Sequence, residues 1–153
     1  MITAATLDQF LGKNISAICP VGFHNANDNH CAHFVSHILR YKFGFTCGGM
    51  VNGPGEPASL RVQELFPECG RVGFWENRPQ DINPCLVFIT KASNVDVFTK
   101  KMANVPKKHI GIFVDGNIWH YSNSQDKVVK QTPAQFKNHF AKPSNAMFYG
   151  ELP

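Results

Sequence analysis

HIGIFVDGNIWHYS, residues 109–122, is the stretch of this sequence that most directly predicts its fold. Apolar residues alternate on both sides of Asp115-Gly116-Asn117, so the stretch predicts two antiparallel strands joined by a tight turn. Side chains alternate between the faces of a strand, which puts His109 and Gly111 on one face. With a two-residue turn, His120 falls on that same face. If the turn is Asp115-Gly116, His120 lies opposite Gly111 and diagonal to His109, at about 7 Å.

The rest of the chain predicts helices followed by strands. Apolar periodicity predicts helices near residues 7–11, 29–41, 58–66, 94–104 and 133–140. Short apolar runs predict strands at 85–90, 109–114, 118–122, 127–131 and 146–152. Thr6 is expected to cap the first helix, and Thr132 with Pro133 to begin the last. This order predicts an α+β fold in which N-terminal helices pack on a mostly antiparallel sheet.

Composition indicates a single folded domain over residues 1–153. The chain is 43% hydrophobic and 17% charged, with a formal net charge of +4. Such values favour a packed core over disorder and decide little about partners. We find no nucleic-acid-binding motif, no apolar stretch of membrane-spanning length and no secretory signal. The protein is therefore expected to be cytoplasmic as synthesised, without a nucleic-acid partner, and signal-independent export stays open.

The cysteines do not form a recognisable framework. There are five, an odd number, and no two of them are spaced as a CxxC pair: Cys19, Cys31, Cys47, Cys69 and Cys85. This pattern disfavours a disulfide framework and a cysteine-rich zinc site. Free thiols in a reducing compartment are the simpler expectation.

Cys31 stands out because it is placed where a helix begins. The preceding residues include Asp28 and Asn29, which are good capping residues, and an apolar-periodic run follows. A thiol at a helix N-terminus is expected to ionise easily, because the helix dipole favours the anion. On a helical projection Cys31 leads the apolar face that would pack on the sheet. The alternative is a small buried cysteine that only fills a gap in the core.

His109 gives that cysteine a candidate base. A distant histidine that opens a strand can meet a thiol in space and accept its proton. His120 can then hydrogen-bond the far nitrogen of the His109 ring and orient it. Asp115, Ser122 and Asn123 are alternative orienting residues, and His120 would be an ordinary polar residue if its face of the sheet were exposed.

Three segments together resemble the NlpC-type and CHAP papain-like cysteine peptidases and amidases. They are Cys31-Ala32-His33-Phe34-Val35 at a helix start, the strand 109–114 and the strand Ile118-Trp119-His120-Tyr121. In those families a cysteine opens a helix, a base histidine opens a strand and a third polar residue lies on the next strand. The resemblance therefore implies a papain-like core with Cys31 as nucleophile, His109 as base and acid, and His120 as the orienting residue.

The resemblance also implies a reaction. The chain is similar in size and motif order to the signal-less amidase effectors that bacteria inject against rival cell walls. The expected substrate is an amide bond in peptidoglycan stem peptides or crosslinks, and a cognate immunity protein is an expected partner. The Cys31 N–H is the expected oxyanion donor, with a second donor among Asn25, Asn27 and Asn29. We expect neither a cofactor nor a metal.

Three other interpretations stay open. His30, His33 and His37 form a stripe one turn apart, with His24 nearby, and such histidines can share a zinc ion. A polar stripe facing solvent or a partner is the favoured explanation. The same Cys–His pair could instead deamidate a protein glutamine or transfer an acyl group, and a papain-like fold can also serve as a binding module without catalysis.

Overall fold

The computed structural model describes residues 1–153, and it is an α+β fold built on one six-stranded sheet. The strands run in the order β1-β8-β2-β5-β6-β7, and every neighbouring pair is antiparallel. The strands of this sheet are β1 Val72–Phe74, β2 Cys85–Lys91, β5 His109–Val114, β6 Asn117–Ser122, β7 Lys127–Gln131 and β8 Asn145–Glu151. The helices are α1 Ala4–Asp8, α2 Cys31–Leu39, α3 Val62–Leu65 and α4 Pro133–His139, and β3 Val95–Asp96 pairs with β4 Lys101–Met102 in a small separate hairpin.

The central hairpin has the register that the sequence predicted. Val114 pairs with Asn117, so the turn contains only Asp115 and Gly116. Both turn residues have positive φ, 48° and 93°, as a type I′ turn requires. His120 therefore lies opposite Gly111 and on the same face of the sheet as His109.

The two faces of the sheet are both covered. On one face, Ile110 and Ile112 of β5 and Trp119 of β6 pack with Phe34 of α2 in the larger core cluster. On the other, Ile89, Phe113 and Met147 form a smaller cluster with Phe136 of α4. Consecutive residues of β5 thus face different helices. The helix that begins at Cys31 and the helix that packs on His109 are on opposite sides.

Local sequence explains where the two main helices begin and end. The α2 helix ends at Leu39, and the next residue, Arg40, has the left-handed φ of 61° common at helix C-termini. The α4 helix begins with a capping box, in which Thr132 and Gln135 bond reciprocally, and Pro133 is its first residue. The predicted start of α4 is confirmed.

Several sequence predictions for other segments are wrong. The first helix begins earlier, with Thr3 instead of Thr6 as its cap, because Thr3 Oγ1 accepts the Thr6 N–H. Residues 94–104 form the short β3–β4 hairpin instead of a helix. Only Val62–Leu65 of the segment 58–66 is α-helical. The strand β1, three residues long, was too short to be recognised by alternation.

Long irregular segments flank α2. Residues 9–30 and 40–61 contain no α-helix or strand, only short 3₁₀ turns at Ile15–Ala17 and Cys47–Gly49. The first of these segments runs along β7, where the Gly12 N–H donates to the Val128 carbonyl and the Val128 N–H to the Lys13 carbonyl. The longest helix, α2, has nine residues, and no helix is long and apolar enough to cross a membrane.

Tyr121 ties the first irregular segment to the sheet, and its removal tests this anchor. Its hydroxyl accepts the buried Ile15 N–H at 2.9 Å and donates to Asp126 Oδ1 at 2.8 Å. We expect Tyr121→Phe to lower the free energy of unfolding by about 1–3 kcal/mol, because a buried N–H loses its partner. Urea denaturation measures the change. Tyr149→Phe is the matched control, since Tyr149 is also buried but its hydroxyl makes no hydrogen bond. Equal stability of the two variants would contradict the anchor.

Candidate functional site

Cys31 is the first residue of α2, and it is 2% exposed. Its N–H donates a 2.9 Å hydrogen bond to Asn29 Oδ1. The preceding residue, His30, donates its N–H at 3.1 Å to Oδ1 of Asn123, which follows β6. Two asparagine side chains, Asn29 just before the helix and Asn123 just after β6, therefore fix the start of the helix.

Burial controls the ionisation of the Cys31 thiol. Burial raises its pKa to about 11, while the N–H groups of Ile110, Ala32 and Cys31 itself oppose the rise. Lys108 also lowers the pKa, as the weakest contribution. The expectation of an easily ionised thiol is therefore wrong for this conformation, because desolvation outweighs the favourable N–H groups at the helix start.

His109, His120 and Gln131 form a hydrogen-bonded line across three strands. His109 Nε2 lies 2.9 Å from His120 Nδ1, and His120 Nε2 lies 2.7 Å from Gln131 Oε1. Because an amide oxygen only accepts, His120 carries its proton on Nε2 and accepts through Nδ1. His109 then carries its proton on Nε2, and its Nδ1 keeps a lone pair. This is a tautomer that can act as a base. The predicted hydrogen bond between His120 and His109 is present, and the orienting role of His120 stays a prediction.

Burial keeps both rings of this pair neutral. It lowers the pKa of His109 well below the usual value. The pKa of His120 falls to about 4, also through burial, although the hydrogen bond to Gln131 opposes the shift. Phe136 and Phe140 pack on His109 with ring centroids 5.6 and 4.2 Å away. At neutral pH the lone pair on His109 Nδ1 is therefore available.

The structure does not join Cys31 to His109 by a hydrogen bond. Ile110 belongs to the core beneath α2, whereas the ring of His109, one residue earlier, packs on Phe136 of α4. The thiol approaches the strand at the N–H of Ile110. Thiol and imidazole thus lie at the same end of β5 but on different faces, and they can meet only around that end.

A cleft of about 270 Å³ opens at this end of β5. Its walls include His109 together with Asn29 and Asn123, the two asparagines that hold the start of α2. No acidic side chain lines the cleft. Its other polar lining residues are Lys107, Lys108, Lys142, His139 and Asn145. The cleft therefore suits a ligand that carries carboxylates.

The expected oxyanion donors are only partly free. The Cys31 N–H is already bonded to Asn29. The amide nitrogen of Asn29 makes no hydrogen bond within the protein, and the residue lines the cleft. Asn25 Oδ1 accepts the Asn27 N–H, and the Asn25 carbonyl bonds to the ring of His30. These contacts leave the side-chain N–H groups of Asn25 and Asn27 free, so Asn29 is favoured because it alone of the three lines the cleft.

A second cluster, outside the predicted triad, joins α2 to the two irregular segments. It consists of Cys19, His33, His37 and Cys47, whose ligand atoms all lie within 4.8 Å of one another. The two sulfurs are 3.9 Å apart, the two Nε2 atoms 3.1 Å apart, and Cys47 Sγ is 3.7 Å from His37 Nε2. Burial lowers the pKa of His33 to about 3 and that of His37 to about 4, so both rings are neutral.

His30 forms a hydrogen bond with His33 and so orients one histidine of this second cluster. Its Nε2 lies 2.7 Å from the Asn25 carbonyl oxygen, and its Nδ1 lies 2.9 Å from Nδ1 of His33. Because the carbonyl only accepts, His30 donates from Nε2 and accepts at Nδ1, which leaves His33 with a lone pair on Nε2. His30 and His33 are fully buried. The expectation of a solvated histidine stripe is therefore wrong.

Sequence reasoning missed Gln131, Cys19 and Cys47. Gln131 has a usable signal, since His109, His120 and Gln131 are each 11 residues apart and continue one diagonal across β5, β6 and β7. The cysteines have none, because they lie in irregular segments whose paths follow no periodicity.

Comparison of the chain with protein-family models, curated proteins and solved structures gave no match.

The raised pKa predicts slow alkylation of Cys31 at neutral pH. Only the thiolate reacts, and its fraction grows as the pH approaches the pKa of about 11. The rate with iodoacetamide should therefore rise from about pH 8 to about pH 10 without levelling off. Peptide mapping by mass spectrometry follows Cys31, and Cys31→Ala gives the background from the other thiols. A rate that levels off below about pH 8 would mean that the thiolate is stabilised instead.

Proposed function

We propose that the protein is a papain-like cysteine hydrolase that cleaves an amide bond, with Cys31 as nucleophile and His109 as base. One observation carries the proposal: His109 has a fixed tautomer, and its Nδ1 lone pair has no partner within the protein. A histidine that only fills space needs no such chain of partners. The helix start that bears Cys31 lies at the same end of β5.

In the proposed reaction His109 moves two protons, one in each half of the cycle. Its Nδ1 takes the proton from the Cys31 thiol as the sulfur attacks the carbonyl carbon, and the oxygen becomes an oxyanion. The tetrahedral intermediate then expels the amine, which leaves with the proton from Nδ1, and a thioester remains on Cys31. Water attacks the thioester after giving a proton to Nδ1, and this proton returns to the sulfur as the acid departs.

The neutral resting state fits this sequence of steps. The thiol has a raised pKa and the imidazole a lowered one, so proton transfer before substrate binds is unfavourable. Charge would develop only as the carbonyl is attacked, when Asn29 can donate its side-chain N–H to the oxyanion. A movement that brings thiol and imidazole together around the end of β5 is part of the proposal.

Peptidoglycan stem peptides or crosslinks are the proposed substrate class. Stem peptides carry free carboxylates, and the cleft beside His109 is lined by lysines without an acidic side chain. A protein glutamine is the second candidate, because deamidation uses the same nucleophile and base. The two differ in their products, so one experiment separates them.

Digestion of purified peptidoglycan sacculi tests the function. Wild type should release stem-peptide or crosslink fragments, read by mass spectrometry, and Cys31→Ala should release none while keeping its fold by circular dichroism. Cys85→Ala is the matched control: Cys85 is equally buried, but it pairs with Phe113, four residues along β5 from His109. Full activity of Cys31→Ala would end the hydrolase proposal.

The outcome without fragments is also informative. If wild type releases no fragment, a candidate protein target is examined for the gain of about one dalton that deamidation of glutamine produces. A gain that depends on Cys31 would assign the same machinery to the second substrate class. No product in either assay would contradict both.

The two histidines should differ in importance. His109→Ala removes the proton acceptor and should lower kcat by about 10²–10⁴-fold. His120→Ala leaves the acceptor and removes only its orientation, so its loss should be smaller. The comparison uses whichever product assay proves positive, with stability checked by thermal unfolding. Wild-type activity in both variants would contradict the assigned roles.

A further inference from the structure

We propose that Cys19, His33, His37 and Cys47 form a tetrahedral zinc site that holds the two irregular segments onto α2. The site lies outside the catalytic machinery proposed above. Cys19 comes from the segment 9–30 and Cys47 from the segment 40–61, while the two histidines are four residues apart on α2. Four ligands from three parts of the chain thus converge on one point.

Three of the six distances between the ligand atoms lie close to those of a zinc tetrahedron. With zinc bonds of about 2.3 Å to sulfur and about 2.05 Å to nitrogen, tetrahedral angles require about 3.8 Å between sulfurs, about 3.6 Å between sulfur and nitrogen and about 3.3 Å between nitrogens. The separation is 3.9 Å between the two sulfurs, 3.7 Å between Cys47 Sγ and His37 Nε2, and 3.1 Å between the two Nε2 atoms. All four ligand atoms lie within 4.8 Å of one another. The sulfurs are too far apart for a disulfide bond, and all five thiols are free.

The surroundings of the four ligands also suit a metal. The chain from the Asn25 carbonyl through His30 leaves His33 with its lone pair on Nε2, the atom that faces His37. The Ala58 N–H points at Cys47 Sγ from 3.3 Å, as backbone donors do toward metal-bound thiolates. These partners orient two ligands before any metal arrives.

The chemistry of the set selects zinc. Two thiolates and two neutral imidazoles in a tetrahedron fit a d¹⁰ divalent ion, and four protein ligands leave no open position for substrate. Cys19, His33 and Cys47 are buried, whereas His37 is partly exposed and lines a surface depression that gives the ion a route in. The site therefore has the character of a structural one.

A zinc site would hold the two irregular segments in place. Residues 9–30 and 40–61 have no α-helix or strand to hold them, apart from their contacts with neighbouring elements. Because the unfolded chain has no preformed site, the free energy of zinc binding would add to the stability of the folded protein. Through His33 and His30, the site also stabilises the start of α2.

Metal analysis of the purified, reduced full-length protein tests the proposal. We expect about one zinc per chain, and a loss of at least about tenfold in His37→Ala and Cys47→Ala. Cys69→Ala and Cys85→Ala are matched controls, since both remove an equally buried thiol outside the cluster, and they should keep the metal. Cys31→Ala should keep it as well, which separates this test from that of the hydrolase.

Two further readouts keep the test decisive if a variant fails to fold. Replacement by cobalt should give the visible bands of a tetrahedral ion and a near-ultraviolet band from thiolate ligation, and chelation should lower the Tm of wild type. Several results would overturn the proposal. They are a wild type that holds no zinc and takes up none when it is added, metal retained by both ligand variants, or peptide mapping of the non-reduced protein that reveals a Cys19–Cys47 disulfide.

Discussion

The two-residue turn at Asp115-Gly116 is the constraint on which the candidate active site depends. It sets the register of β5 against β6, and a slip of one residue would turn His120 to the other face. Gly111 then provides the space, because a Cβ at that position would lie 3.2 Å from the Cβ of His120. The diagonal contact between the two rings follows, and Gln131 on β7 extends it. A turn at one end of the hairpin thus determines which nitrogen of His109 carries a proton at the other.

Features of the fold that depend on neighbouring residues, such as turns and helix starts, could be predicted from the sequence. The alternation and turn residues of the segment 109–122 were enough for the hairpin, and Thr132 with Pro133 for the start of α4. The same kind of prediction failed for residues 94–104, because the strands of a two-residue hairpin are too short to show a periodicity that distinguishes them from a helix. The pairing of His109 with His120 was predictable for the same reason as the hairpin. Cys19 and Cys47 were not, because only the paths of two irregular segments bring them together.

Burial decides the protonation of both clusters of side chains, and neither pKa trend follows from sequence position. The Cys31 thiol has the favourable position at a helix N-terminus, yet desolvation outweighs the N–H groups around it. The histidines of the two clusters are neutral for the same reason. In each cluster one histidine donates to an amide or carbonyl oxygen, and this bond selects the tautomer of the histidine beside it. His120 donates to Gln131, and His30 donates to the Asn25 carbonyl. In both clusters, which lie on opposite faces of the sheet, one histidine orients another through a hydrogen bond.

The pairing of residues 12 and 13 with β7 has a consequence for self-association. β7 is the last strand of the sheet, and an uncovered edge strand presents N–H and carbonyl groups that a second molecule can bind. The hydrogen bonds between Gly12, Val128 and Lys13 occupy part of this edge. The segment before α2 therefore acts as a cover for the sheet. A chain that lacks residues 1–13 would expose β7, and it would form edge-to-edge aggregates more readily than the chain of residues 1–153.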